Sequence, residues 1–106
     1  MGRIAASTDV FRAVADPTRR AILDRLRGGR AQVNALAAEF DQSRPAISKH
    51  LKVLRDARLV HETRVGRARV YQLDPQPLQR MSGWVEGYRS FWATSLDNLK
   101  RRLEEK

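Results

Sequence analysis

Ser43-Arg44-Pro45-Ala46-Ile47-Ser48-Lys49-His50-Leu51-Lys52-Val53-Leu54 is the stretch that decides the fold. Ile47, Leu51 and Leu54 recur at helical spacing, so one face of a helix must be buried here. Ser43 is a good N-cap residue. Pro45 falls in the first turn, where its missing N–H leaves nothing unsatisfied. The face opposite the apolar stripe then carries Arg44, Pro45, Ser48, Lys49 and Lys52. Such a helix fits the major groove of duplex DNA, with its N-terminal residues at base edges. In that setting Arg44 would grip a guanine with two hydrogen bonds, and Ser48 would donate or accept at several bases. Gln42, in the preceding turn, would reach adenine or phosphate, and Lys49 and Lys52 sit where phosphates would run. His50, one residue off the stripe, reads as a half-buried histidine bonded to backbone or phosphate rather than a metal ligand. An ordinary solvated helix face is the bland alternative, and the flanking sequence argues against it.

Upstream, Leu36, Ala37 and Phe40 mark a shorter helix opened at Val33-Asn34, with Asn34 as its expected N-cap. Asp41-Gln42 makes a short polar turn, and two helices so joined are a helix-turn-helix. Before them, Asp16-Pro17 caps a helix with the stripe Ala21, Ile22, Leu23 and Leu26, ended by Gly28-Gly29. A first helix is expected over Asp9–Ala15, capped by Ser7 or Thr8, with Val10, Phe11 and Val14 on one face. Downstream, Leu59–Arg64 and Arg67–Leu73 read as strands around a tight turn at Val65-Gly66. Arg64, Arg67 and Arg69 make the hairpin tip a cationic finger, suited to the adjacent DNA backbone or a narrow minor groove. Charge that merely blunts an edge strand is the alternative.

Asp74-Pro75-Gln76-Pro77 breaks the strand and starts a last helix. Its apolar stripe is Leu78, Met81, Val85, Tyr88, Trp92, Leu96, Leu99 and Leu103. Trp84 and Phe91 widen that stripe, so four of the seven aromatic residues fall between 84 and 92. One small domain cannot cover so long a face. A second copy is the simplest cover, with Val10, Phe11 and Val14 packed alongside. Folding and dimerisation are then expected to be inseparable. Gly83 and Gly87 would either let two backbones approach or mark a break between a short and a long helix. The expected fold is therefore mainly α with a small β-hairpin, in the order α-α-α-α-β-β-α. It forms one winged helix-turn-helix domain over residues 1–106, with 1–15 and 76–106 as dimerisation helices.

Charge supports this division. The net charge is +9, and residues 42–73 hold eight Arg/Lys against two Asp/Glu, a net of +6. Concentrated basic charge is the footprint of phosphate contact. Cysteine is absent, which excludes disulfides, thiolate metal sites and thiol switches. No apolar run approaches the 18 residues of a membrane span, and Met1–Val10 has no signal-peptide character, so a cytoplasmic location is expected. No nucleophile–base pair, carboxylate pair or glycine-rich phosphate loop suggests an enzyme, and no cofactor is expected. Two rivals use the same features: a sequence-neutral DNA-coating protein, and an antitoxin-like adaptor that turns the fold to protein interaction.

Ala15-Asp16-Pro17-Thr18-Arg19-Arg20-Ala21-Ile22-Leu23, Leu36-Ala37, Ser43 to Leu54 and Leu59-Val60 together resemble the ArsR-type family of winged-helix regulators. The resemblance covers about residues 8–75. It implies a homodimer that represses by occluding a promoter operator, often released by an inducer. It also implies DNA contacts at Arg44, Pro45, Ser48, Lys49 and His50. Metal-sensing members use cysteines in the third helix or Asp/His sets in the last. Here the third helix has no thiol and the last no histidine, so the tail around Trp84, Tyr88, Phe91, Trp92, Leu96 and Leu99 resembles a metal-independent branch. A small-molecule inducer of unknown identity would have the aromatic stripe as its only candidate seat. Arg58 stands where the family usually has glycine, so it is expected to adopt a left-handed conformation.

Overall fold

The computed structural model describes residues 2–105, with side chains from residue 9. Its elements are α1 (Gly2–Ala15), α2 (Pro17–Arg27), β1 (Ala31–Gln32), α3 (Val33–Glu39), α4 (Arg44–Asp56), β2 (Val60–Val65), β3 (Ala68–Leu73) and α5 (Gln76–Glu104). This is the expected winged helix-turn-helix, with one strand added. The sheet is antiparallel in the order β1-β3-β2, and Ala31 pairs with Tyr71 on the far side of the hairpin. A two-residue strand carries too little periodicity to be read from sequence.

β1 also moves the start of α3. Pairing holds the backbone extended through Gln32, the helix begins at Val33, and no side chain caps it. Asn34 is thus a first-turn residue and not the N-cap. At the other end of the chain, α1 begins at Gly2, so Ser7 and Thr8 lie inside the helix rather than at its start. The remaining caps follow the sequence. Asp16 accepts from the Arg19 amide at 2.9 Å, and Ser43 from the Ala46 amide at 3.2 Å.

Ile22, Leu36, Ile47, Leu51, Leu54 and Leu59 have no exposed surface, and Val60 almost none. The core therefore joins α2, α3, α4 and the root of the hairpin. Each such side chain contributes roughly 1.5–3 kcal/mol relative to exposure. Arg58 sits in the left-handed region at φ 63°, as its position after α4 led us to expect, and Asp41 does so at 52° in the turn before α4. Left-handed backbone costs an arginine about 1–2 kcal/mol that glycine would avoid. In the hairpin, Val65 pairs with Ala68, so Gly66-Arg67 is the two-residue turn, one position later than expected. Gly66 has φ 63° and Arg67 does not share the positive sign, the pattern of a type II′ turn that matches strand twist.

α5 is a continuous 29-residue helix, about 43 Å long at 1.5 Å per residue. That continuity removes the reading of Gly83 and Gly87 as a break. A Cβ at either glycine would meet nothing in this chain, so packing within the protomer does not demand them. The helix is buried only at Pro77, and Leu78 packs against the core. Beyond that it projects, giving the molecule extents of 66 × 35 × 20 Å.

Candidate nucleic-acid interface

The burial of Ile47, Leu51 and Leu54 fixes how α4 is rolled. Arg44, Pro45, Ser48, Lys49 and Lys52 are exposed together on the other side, with half-buried Gln42 just ahead of them. Ser43 accepts the Ala46 amide as the helix cap, which leaves its hydroxyl proton available to donate outward. Lys52 is already engaged with Asp56, one turn on, at 2.9 Å. The pair is exposed, and exposed pairs contribute little, so a phosphate could displace the carboxylate.

His50 lies to one side of this face. Its Nδ1 is 3.4 Å from Arg19 Nη1 and 3.9 Å from Asp16 Oδ2. Accepting from Arg19 there places the ring's proton on Nε2. Arg19 does more than meet His50: it donates to the carbonyls of Arg12 at 3.0 Å and Ala13 at 2.8 Å. Arg20 donates to those of Val14 and Ala15 at 2.8 and 3.1 Å. The two arginines thus satisfy the last carbonyls of α1, which a helix end otherwise leaves without partners. The backbone amide of Arg19, its guanidinium and His50 together hold the Asp16 carboxyl below the usual carboxylate range. These contacts tie the α1–α2 joint to α4. The sequence reading missed this because the partners are 31 residues apart and share no periodicity.

In the wing, Arg64, Arg67 and Arg69 are exposed, while Val60, Val70 and Tyr71 bury the hairpin root. Glu62 is the one carboxylate on these two strands. Its Oε2 accepts from the Tyr71 hydroxyl at 2.7 Å and from Arg55 at 2.8 Å. The Tyr71 bond, then the nearby Arg55 and Arg69 charges, keep Glu62 below its ordinary value, and burial with this bond pushes the Tyr71 phenol up. The acid is therefore held at the hairpin root, away from the basic tip.

A cleft of about 320 Å³ lies between α4 and the wing, lined by Gln32, Val33, Asn34, Arg44, Arg64, Arg67, Ala68 and Arg69. It brings Arg44 together with all three wing arginines. Gln32 and Asn34 join the site through β1, which no sequence signal foretold. Among the described residues, no group of three His, Cys, Asp or Glu could hold a metal ion, and no helix is long and apolar enough to cross a membrane.

The outer surface of α5 is aromatic. Phe11 of α1 meets Trp84 edge-on at 5.5 Å, Trp84 meets Tyr88 at 5.1 Å, and Tyr88 stacks on Trp92 at 6.0 Å. The row remains half in solvent: Trp92 is 51% exposed, Phe91 63% and Leu96 66%. Leu99 and Leu103 continue it outward, also exposed, and Val10 and Val14 of α1 are partly covered nearby.

A helix-turn-helix domain family matches residues 14–63. Over 94 residues the chain is 43% identical to the HTH-type transcriptional regulator Rv2034 of Mycobacterium tuberculosis, spanning 89% of this chain and 85% of that protein. It is 40% identical over 77 residues to the transcriptional repressor SdpR of Bacillus subtilis, spanning 73% and 86% of the two. Among solved structures it resembles an ArsR-like transcriptional regulator from Rhodococcus sp. RHA1, with a TM-score of 0.74 and 32% identity over 95% of each chain. It also resembles the homodimeric winged helix-turn-helix DNA-binding domain Mb0332 of Mycobacterium bovis, with a TM-score of 0.69 and 25% identity over 84% of this chain and 82% of that one.

Proposed function

Since the chain belongs to the ArsR family of helix-turn-helix transcriptional regulators, we propose that it is a homodimeric repressor that reads an imperfect palindrome in duplex DNA. It is a DNA-binding regulator and not an enzyme. The observation that carries the finer reading is the exposed face of α4, set opposite a fully buried stripe and beside a wing of three arginines. Gln42, Pro45, Ser48 and Lys49 face the base edges of the major groove in this reading. Ser43 and His50 border that face, and Lys52 reaches backbone phosphate.

Pairing supplies the second recognition helix. The exposed aromatic row and the homodimeric relative from Mycobacterium bovis support it. Two-fold symmetry would set the two α4 helices about 34 Å apart, one turn of DNA. Selection of bound duplexes from a random pool tests this. Two inverted half-sites with centres roughly 10 base pairs apart are expected. Recovery of no consensus, with a steep salt dependence, would favour the DNA-coating alternative.

Metal independence follows from the absence of cysteine from the sequence. Zinc, cadmium and arsenite should therefore change operator affinity by no more than about twofold, against the 5–150-fold of typical allosteric coupling. Stoichiometric release of DNA by any of the three at micromolar concentration would sink this part of the reading.

A further inference from the structure

The cleft between α4 and the wing holds more positive charge than base reading needs. Arg44, Arg64, Arg67 and Arg69 all line it, and no carboxylate does. Elsewhere arginines and lysines find acids: Arg25 with Glu39, Lys52 with Asp56, Arg55 with Glu62, Arg89 with Glu86 and Arg101 with Asp97. Among the described residues none of the four cleft arginines forms an ion pair. Guanidinium groups gathered without an acid repel one another, and an oxyanion relieves that repulsion while accepting from several N–H donors at once. The side-chain amides of Gln32 and Asn34 add neutral donors on the third side.

We propose that this cleft seats a backbone phosphate of the DNA strand as it passes from the groove occupied by α4 to the wing. Arg44 grips it from the recognition helix and the wing arginines from the other bank. This rests on the DNA-binding reading above and changes one role within it. Arg44 is a phosphate clamp at the junction, and base discrimination falls to the residues further along α4. Specific and non-specific duplexes then share the seat, because a phosphate carries no sequence information.

Asn34→Asp tests the seat with all four arginines left in place. Asn34 is exposed in the first turn of α3, where a carboxylate suits the helix dipole, so the variant should melt no lower than wild type. Operator and unrelated duplexes, measured by fluorescence anisotropy across a salt series, should both bind on the order of tenfold more weakly per protomer. The slope of log affinity against log salt should become shallower by about 1 per protomer. Arg44→Ala should give the same uniform loss. Wild-type affinity and slope in Asn34→Asp would overturn the proposal, and so would an Arg44→Ala that relaxes preference at one base position alone. A third arm uses free tripolyphosphate at matched ionic strength. If it displaces operator from wild type, and Asn34→Asp abolishes that displacement without weakening duplex binding, the occupant is a free anion and the DNA seat is wrong. Failure of wild type to bind any duplex would instead remove the functional reading itself.

Discussion

Trp92→Asp is expected to yield a folded protomer that sediments as a monomer, melts at a temperature independent of concentration, and binds operator about 10²–10⁴-fold more weakly than wild type. The last figure is the advantage that linking two binding sites commonly confers. Trp92 lies near the middle of α5, on the row that runs from Phe11 through Trp84 and Tyr88, and it is half exposed in the single chain. An aspartate there disturbs little within the protomer, because a half-exposed site can still hydrate the charge. Across a paired α5 the same carboxylate would be buried against apolar surface, and an uncompensated buried charge costs several kcal/mol. The sequence suggested that folding itself would fail without a partner. The structure argues otherwise: Ile22, Leu36, Ile47, Leu51, Leu54 and Leu59 close a core to which α5 contributes only at its first turn. Pairing and folding are therefore separable, and sedimentation with melting at several concentrations distinguishes them. A Trp92→Asp chain that remains dimeric would remove α5 from the proposed interface. One that unfolds outright would restore the linkage.

The contrast between what was and was not legible follows from where the information lies. The α4 stripe, the Asp16 and Ser43 caps, the hairpin and the long apolar face of α5 are periodic or local features, so spacing alone exposes them. Arg58 was legible for the same reason, since backbone conformation is set by position relative to a helix end. β1 was not, because two residues establish no alternation and its pairing with β3 links residues about 40 positions apart in sequence. Everything that depended on β1 was lost with it: the true start of α3, the demotion of Asn34 from cap to cleft residue, and the arginine cleft as a single site. Arg19 was likewise part of a family pattern whose physical purpose, closing α1 and touching His50, emerges only in three dimensions.

Replacing both Arg67 and Arg69 with alanine should weaken binding to every duplex alike. A phosphate contact supplies counterion release, worth close to a factor of ten per contact at 0.1 M salt, and shifts the salt slope by about 0.9. Two such contacts per protomer predict a loss on the order of 100-fold per protomer and a slope shallower by about 2 per protomer, with the preferred sequence unchanged. The fold should not suffer. Both side chains are exposed, the turn is set by Gly66, and the root is held by buried Val60, Val70 and Tyr71 together with the Glu62–Tyr71–Arg55 bonds. Those bonds persist at neutral pH because Glu62 sits below its ordinary value. A carboxylate so lowered adds stability above its unfolded-state value and loses it only as pH falls through the lower folded one. The measurement is therefore clean near pH 7, where any change in affinity reports on the tip and not on its support. If affinity at fixed salt is unchanged, the arginines serve only to keep an edge strand from pairing, and the wing has no part in DNA binding. If instead the loss is confined to one sequence, Arg67 or Arg69 reads a base within the minor groove.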